Sequence, residues 1–149
     1  MADRAYVREN ESELKRLAAL VARLSDADLA RPMPAGWTVA SVLGHVAFWD
    51  QRVIALLEAW RANPGTTPPS LEGRDVDWVN DATKPLLLAI DPRRAADLTV
   101  QIAETTDRML ASLPDDLLAA NERAGSPVNV RRAAHRQEHI EEIEAALKK

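Results

Sequence analysis

The chain of 149 residues is 46% hydrophobic and 28% charged with a net charge of −4, a balance that fits one domain, residues 1–149, with a core of its own. No basic cluster is dense enough for a nucleic-acid surface, Arg131-Arg132 being only a pair, and no apolar stretch approaches the roughly 18 residues of a membrane span. The absence of cysteine excludes disulfides, thiolate metal sites and a cysteine nucleophile, and with no apolar run at the N-terminus a cytoplasmic location is expected.

Apolar residues recurring at helical spacing (Val7, Leu14, Leu17, Ala18, Val21, Leu24) predict a first helix from Arg4 to Leu24. Ser25-Asp26 reads as a break and a new cap, leading into the loop Arg31-Pro-Met-Pro-Ala-Gly36. A second helix is expected from Thr38, its N-cap, to Ala62. The segment from Pro64 to Pro69 cannot be helical and is read as a long connection. A third helical region begins near Asp75 and is punctuated by Pro85 and by Asp91-Pro92, a cap followed by a proline in the first helical position. Its stripe continues through Leu98, Ile102, Thr105, Met109 and Leu113, and Pro114-Asp115-Asp116 ends it and is read as the opening of a short turn. The last helix is expected from Ser126-Pro127 to the basic end Lys148-Lys149, which suits the helix dipole. Strand signals are nearly absent, and four main helices with one long connection predict an all-α four-helix bundle.

Three histidines carry the chemistry. At about 100° per residue, Val128, Arg132, His135, His139, Ile143 and Ala146 share one stripe of the last helix, so two imidazoles point inward one turn apart. Thr38, Val42, His45, Trp49, Val53, Leu56 and Trp60 share a stripe of the second helix. A lone histidine on an apolar face is most often a core residue bonded to a carbonyl. Three of them would each need a separate buried partner, because an unsatisfied polar group costs roughly 1–3 kcal/mol, whereas one metal ion satisfies all three. His135-Arg136-Gln137-Glu138-His139 also matches the HxxEH pattern of inverted zinc proteases, but Glu138 turns away from the stripe, and such enzymes take their third ligand from a glutamate well downstream whereas only ten residues follow His139.

Around these residues several readings stand open. Arg132 holds an anionic substrate, pairs with a buried acid, or snorkels at the bundle end. Glu142 either orients an imidazole from outside the ligand set or is solvated. Trp49 walls a pocket or packs in the core, and Trp37 staples the start of the second helix. Asp75, Asp77 and Asn80 either reach the open end of the site or serve as caps and solvent contacts. Asp50, off the stripe, is expected to be a surface acid.

The segment Gly36-Trp37-Thr38-Val39-Ala40-Ser41-Val42-Leu43-Gly44-His45-Val46-Ala47-Phe48-Trp49 resembles the second-helix signature of the DinB/YfiT-like superfamily. Ala134-His135-Arg136-Gln137-Glu138-His139-Ile140 is similar to its last-helix HxxxH signature. The resemblance implies an up-down-down-up four-helix bundle with a long crossover between the second and third helices, for which the Pro64–Pro69 segment is suited. It also implies a divalent metal, zinc or nickel, held by His45, His135 and His139, and frequent dimerisation, so a homodimer is expected. Activities in the superfamily are diverse. Some members resemble S-transferases or isomerases that use mycothiol, bacillithiol or glutathione, and others are grouped with hydrolases. The extra C-terminal domain of mycothiol-dependent maleylpyruvate isomerases has no counterpart in this sequence, so that activity is not expected.

Three nitrogen ligands leave a coordination position open, the pattern of catalytic sites. Without a cysteine of its own, the chain would take a low-molecular-weight thiol as cosubstrate, and thiolate attack on a small electrophile ranks first, with hydrolysis by a metal-activated water second. The alternatives are a non-catalytic, stress-associated bundle that binds metal or ligand, and an interaction module whose histidines are core residues. Neither nucleic acid nor membrane is expected as a partner.

Overall fold

A computed structural model describes residues 2–149. Among them it contains seven α-helices, one 3-10 turn and no strand, and no helix is long and apolar enough to cross a membrane.

Helix α1 (Ala5–Arg23) buries Tyr6, Asn10, Leu17, Leu20 and Val21. It ends where Ser25 takes the N–H of Asp28 and the Asp28 carboxylate takes the N–H of Ser25, a reciprocal cap that starts α2 (Asp26–Leu29). The following loop folds back on itself through an isolated bridge between Pro32 and Thr38. At its tip, the 3-10 turn Pro34–Gly36 places Ala35 and Gly36 at φ 59° and 81°. Thr38 caps α3 (Val39–Ala62) as expected, in a capping box with Ser41. From Val39 to Ala47 every residue of α3 is buried, so this is the central helix and not a one-sided one.

The connection after Ala62 leads to α4 (Gly73–Leu88), opened by a capping box between Glu72 and Asp75 and containing Pro85. Asp75 is therefore a cap. Asp91 takes the N–H of Arg94 and Pro92 begins α5 (Pro92–Ala111), as expected. The expected stripe on α5 is displaced by one residue. Ala95, Ala96, Thr99, Ala103, Thr106 and Leu110 are buried, while Leu98, Ile102, Thr105 and Met109 are only half-buried. Small side chains let two helix backbones approach closely, and α5 makes the most extensive contact of any helix with α3. Pro114 opens not a short turn but a further helix, α6 (Asp115–Arg123).

The last helix, α7, runs over Ala133–Leu147 and not from Ser126. Gly125 and Ser126 take φ of 84° and 58°, which turns the chain out of helix. The Asn121 side chain then accepts the N–H of Val128 at 3.0 Å and donates to its carbonyl at 2.8 Å, holding the segment extended with Val128 buried. The start of α7 is set instead by Asn10 of α1, whose Oδ1 accepts the N–H groups of Arg132 and Ala133 at 2.8 and 3.0 Å. Its amide donates to Val130 O at 2.9 Å. A helix start leaves four N–H groups without intrahelical acceptors, and Asn10 supplies acceptors from another element.

Two apolar cores result. One gathers Leu17, Leu20, Val39, Leu43, Ala103 and Ile140, the other Tyr6, Val53, Leu57, Leu110 and Val128. Between them in the chain of each contributing helix stand polar residues: Asn10 on α1, Asp50 on α3, Thr106 and Asp107 on α5, Arg136 on α7.

Candidate metal centre

Asp50 is not a surface acid. It is 0% exposed, with Oδ1 accepting Arg132 Nε at 2.8 Å and Oδ2 accepting Arg136 Nε and Nη2 at 3.2 and 3.1 Å. Arg136 is likewise 0% exposed and donates from its other edge to both oxygens of Asp107 at 2.8 and 3.0 Å and to Asn10 O at 3.2 Å. Two buried cations thus share one buried anion, Asp50, and one half-buried anion, Asp107, and each charge is compensated as burial requires. Burial opposes the Arg136 charge, but the hydrogen bonds of Asp107 and the charges of both carboxylates outweigh it and raise the guanidinium pKa. Burial pushes the Asp107 carboxyl up, with Arg136 pulling the other way.

Sequence reasoning missed Arg136 although a signal was present: it precedes Ile140 by four and Ile143 by seven, and these are the buried positions of α7. His135 and His139 are half-buried at the edge of that face, and Glu138 is exposed. Of the readings open for Arg132, the structure shows the pairing with a buried acid. Arg132 is 6% exposed and stands outside the cavity wall described below.

At that edge the three histidines meet. His135 Nε2 lies 3.2 Å from His45 Nε2 and 3.1 Å from His139 Nε2, and a ligand atom from each ring lies within 4.8 Å of the others. The rings stand edge to face, with centroids 4.7–5.1 Å apart. Burial, and secondarily the His139 charge, lowers the His45 pKa to about 4. Burial lowers that of His135 to about 2, helped by His139, Arg132, His45 and Arg136. Both rings are therefore neutral at neutral pH, as metal ligation demands.

A neutral imidazole nitrogen carries either one hydrogen or one lone pair. His135 Nε2 thus forms a hydrogen bond with one of its two neighbours and leaves the other facing it without one. His139 Nδ1 lies 3.0 Å from Glu142 Oε2, which favours a hydrogen on Nδ1 and a lone pair on the inward Nε2. Converging lone pairs repel unless a cation lies between them. Tetrahedral ligation at about 2.0–2.1 Å places two nitrogens about 3.3 Å apart, close to the 3.2 and 3.1 Å at which His135 Nε2 faces those of His45 and His139. The residues therefore fit a divalent ion held by three Nε2 atoms. The Nδ1 atoms of His45 and His135 are buried without a hydrogen-bond partner.

A cavity of about 870 Å³ opens beside the histidines, walled by Pro32, Met33, Trp37, Val42, Asn80, Lys84 and Ala146, with His45, His139 and Glu142 among its lining residues. Its size is that of a small-molecule site. Trp37 meets the His45 ring edge to face at 5.7 Å, and Lys84 Nζ lies 5.4 Å from the Trp37 ring centre while bonding Ala35 O. Trp37 is therefore a wall residue, which the expected staple role did not capture. Trp49 is not in the wall. It donates from Nε1 to Asn80 Oδ1 at 2.9 Å and so positions a residue that is. Asp77 is exposed and outside the wall.

Residues 11–142 match the family model described as the mycothiol maleylpyruvate isomerase N-terminal domain. No curated protein and no solved structure matches the chain. With most of its length covered, the chain belongs to this family, one of the DinB/YfiT-like superfamily of helical metal-binding folds.

Proposed function

We propose that the chain is a metal-dependent enzyme that holds one zinc or nickel ion through His45, His135 and His139 and acts on a small electrophile. In this reading α1, α3, α5 and α7 form an up-down-down-up four-helix bundle, and the segment from Pro64 through α4 is the crossover. The observation that carries it is the convergence of three Nε2 atoms, two of them on rings kept neutral by burial.

When bound, the ion supplies Lewis acidity, lowering the pKa of a water or thiol in its open position. The residues present do the rest. Glu142 holds the hydrogen of His139 on Nδ1 and so turns the Nε2 lone pair toward the other two rings, while its side chain, 47% exposed, forms part of the cavity wall. Trp37 and Val42 exclude water from one side and pack against an apolar substrate body. With no cysteine in the chain, the soft nucleophile is a low-molecular-weight thiol. Hydrolysis by water at the same position is the second outcome.

Metal analysis of untagged protein tests the centre, with about one ion per chain expected and its loss in His135→Ala. Incubation of loaded protein with glutathione and a chlorinated aromatic or an epoxide tests the reaction. Turnover abolished by His45→Ala supports the transferase reading. Turnover independent of thiol supports hydrolysis, and tight binding with no turnover overturns both in favour of ligand sequestration.

A further inference from the structure

We propose that Asp50 is a positioning residue of the histidine centre, whose carboxylate clasps α7 on both sides of His135 and so sets the rotation and height at which His135 and His139 meet His45. The inference rests on the metal-binding reading above. His45 and Asp50 belong to one rigid helix, α3. On α7's side, Arg132 and Arg136 bracket His135. Each carboxylate oxygen takes a different arginine, Oδ1 that of Arg132 at 2.8 Å and Oδ2 that of Arg136 at 3.1–3.2 Å. Sliding α7 by one residue would move it about 1.5 Å and turn it about 100°, which one carboxylate held from two sides does not allow.

Besides the clasp, α3 and α7 share the apolar core that holds Leu43 and Ile140, which resists separation but does not by itself fix the rotation of α7. α3 packs chiefly on α5, and α7 chiefly on α1. The clasp is itself anchored, because Arg136 is held by Asp107 of α5 and the backbone of Arg132 by Asn10 of α1. Buried ion networks add little stability over apolar residues of the same volume. What this one contributes is the placement of two imidazoles to within the tolerance of a coordination sphere.

Cobalt(II) binding to the full chain tests it, followed by chelator competition for affinity and by visible absorption for ligand geometry. The variants are Asp50→Asn, the apolar replacement of the clasp (Asp50→Leu with Arg132→Met and Arg136→Met, Asp107 turning to the solvent that its side chain, 15% exposed, already reaches), and Leu110→Ala as a core truncation that leaves every clasp residue in place. The two clasp variants should lose roughly 10–100-fold in affinity with a changed absorption envelope, while Leu110→Ala keeps both wild-type values. Asp50→Glu should recover part of the affinity. If Asp50→Asn does not fold, the apolar triple variant decides. A folded triple variant with wild-type affinity and absorption overturns the positioning role alone. A wild-type chain that binds no cobalt overturns the metal reading and this inference with it.

Discussion

His45 and His135, 90 positions apart in the chain, meet nitrogen to nitrogen at 3.2 Å, the separation of a hydrogen-bonded pair or of two ligands on one ion. His139 completes the group, and the same small volume has to satisfy all three.

Metal should therefore stabilise the fold as well as occupy it. A ligand present at 100 times its dissociation constant adds about 2.7 kcal/mol, and in a domain of this size that raises Tm by roughly 5–10 °C. Thermal melts with zinc or nickel against melts in chelator check this, and His135→Ala should abolish the difference. Equal melting temperatures with and without metal would sink the prediction.

Acid should destabilise the metal-free protein. In the unfolded chain histidine titrates near 6.5, whereas burial holds His45 to about 4 and His135 to about 2 in the fold. Between these values the unfolded state binds more protons, so stability falls as pH falls. The loss begins near pH 6.5 and continues down to about 4 for His45 and further for His135. Each ring contributes at most about 1.4 kcal/mol per pH unit. Urea midpoints taken in chelator from pH 7.5 to 4.5 measure the slope, and a flat profile across that range contradicts it.

Removing one member of the buried ion network leaves its partners without compensation. Arg136→Met should cost about 3–5 kcal/mol, the usual cost of stranding a buried charge. Asp107→Asn should cost less, about 1.5–3 kcal/mol, the worth of a hydrogen bond to a charged group, since the Asp107 side chain is 15% exposed and reaches water. Denaturant melts of the two variants give the order, and the reverse order would be inconsistent with the burial described.

Gly44 marks where α4 presses on α3. A Cβ built there lies 3.2 Å from Leu87 Cδ2, tighter than ordinary contact. Gly44→Val should destabilise by about 1–3 kcal/mol through overpacking. Leu87→Ala in the same chain should recover part of that loss, a coupling that a double-mutant cycle reads directly. Additive effects would mean that α4 yields freely at this point.

Helix starts were legible wherever a cap lies next to what it caps. Ser25, Thr38 and Asp91 each take an N–H three residues on, and that pattern is local. The histidines were legible because their chemistry is carried by residue type. What escaped the sequence depends on partners far along the chain. Nothing near Asp50 announces that Arg132 and Arg136 will neutralise it, so an acid off the apolar stripe reads as solvated. Ser126-Pro127 meets every local rule for a helix start, and the left-handed turn at Gly125 and Ser126, with the Asn121 side chain holding Val128 extended, shows why it is not one. The packed face of α5 was displaced because alanine and threonine, which allow its close approach to α3, weigh little in a pattern of large apolar residues.

Asn10 joins the beginning of the chain to its last helix through bonds spanning 120 to 123 positions. During synthesis the ribosome releases α1 long before it releases α7, and α7 lacks its cap until the two ends of the polypeptide have closed on each other. Contacts of such long span form late and slow folding. A nascent chain carrying His45 alone offers a single loose ligand, so an ion held as proposed, by all three histidines, would be captured only at the close of folding. Pulse-labelling hydrogen exchange should find the amides of α7 among the last to gain protection.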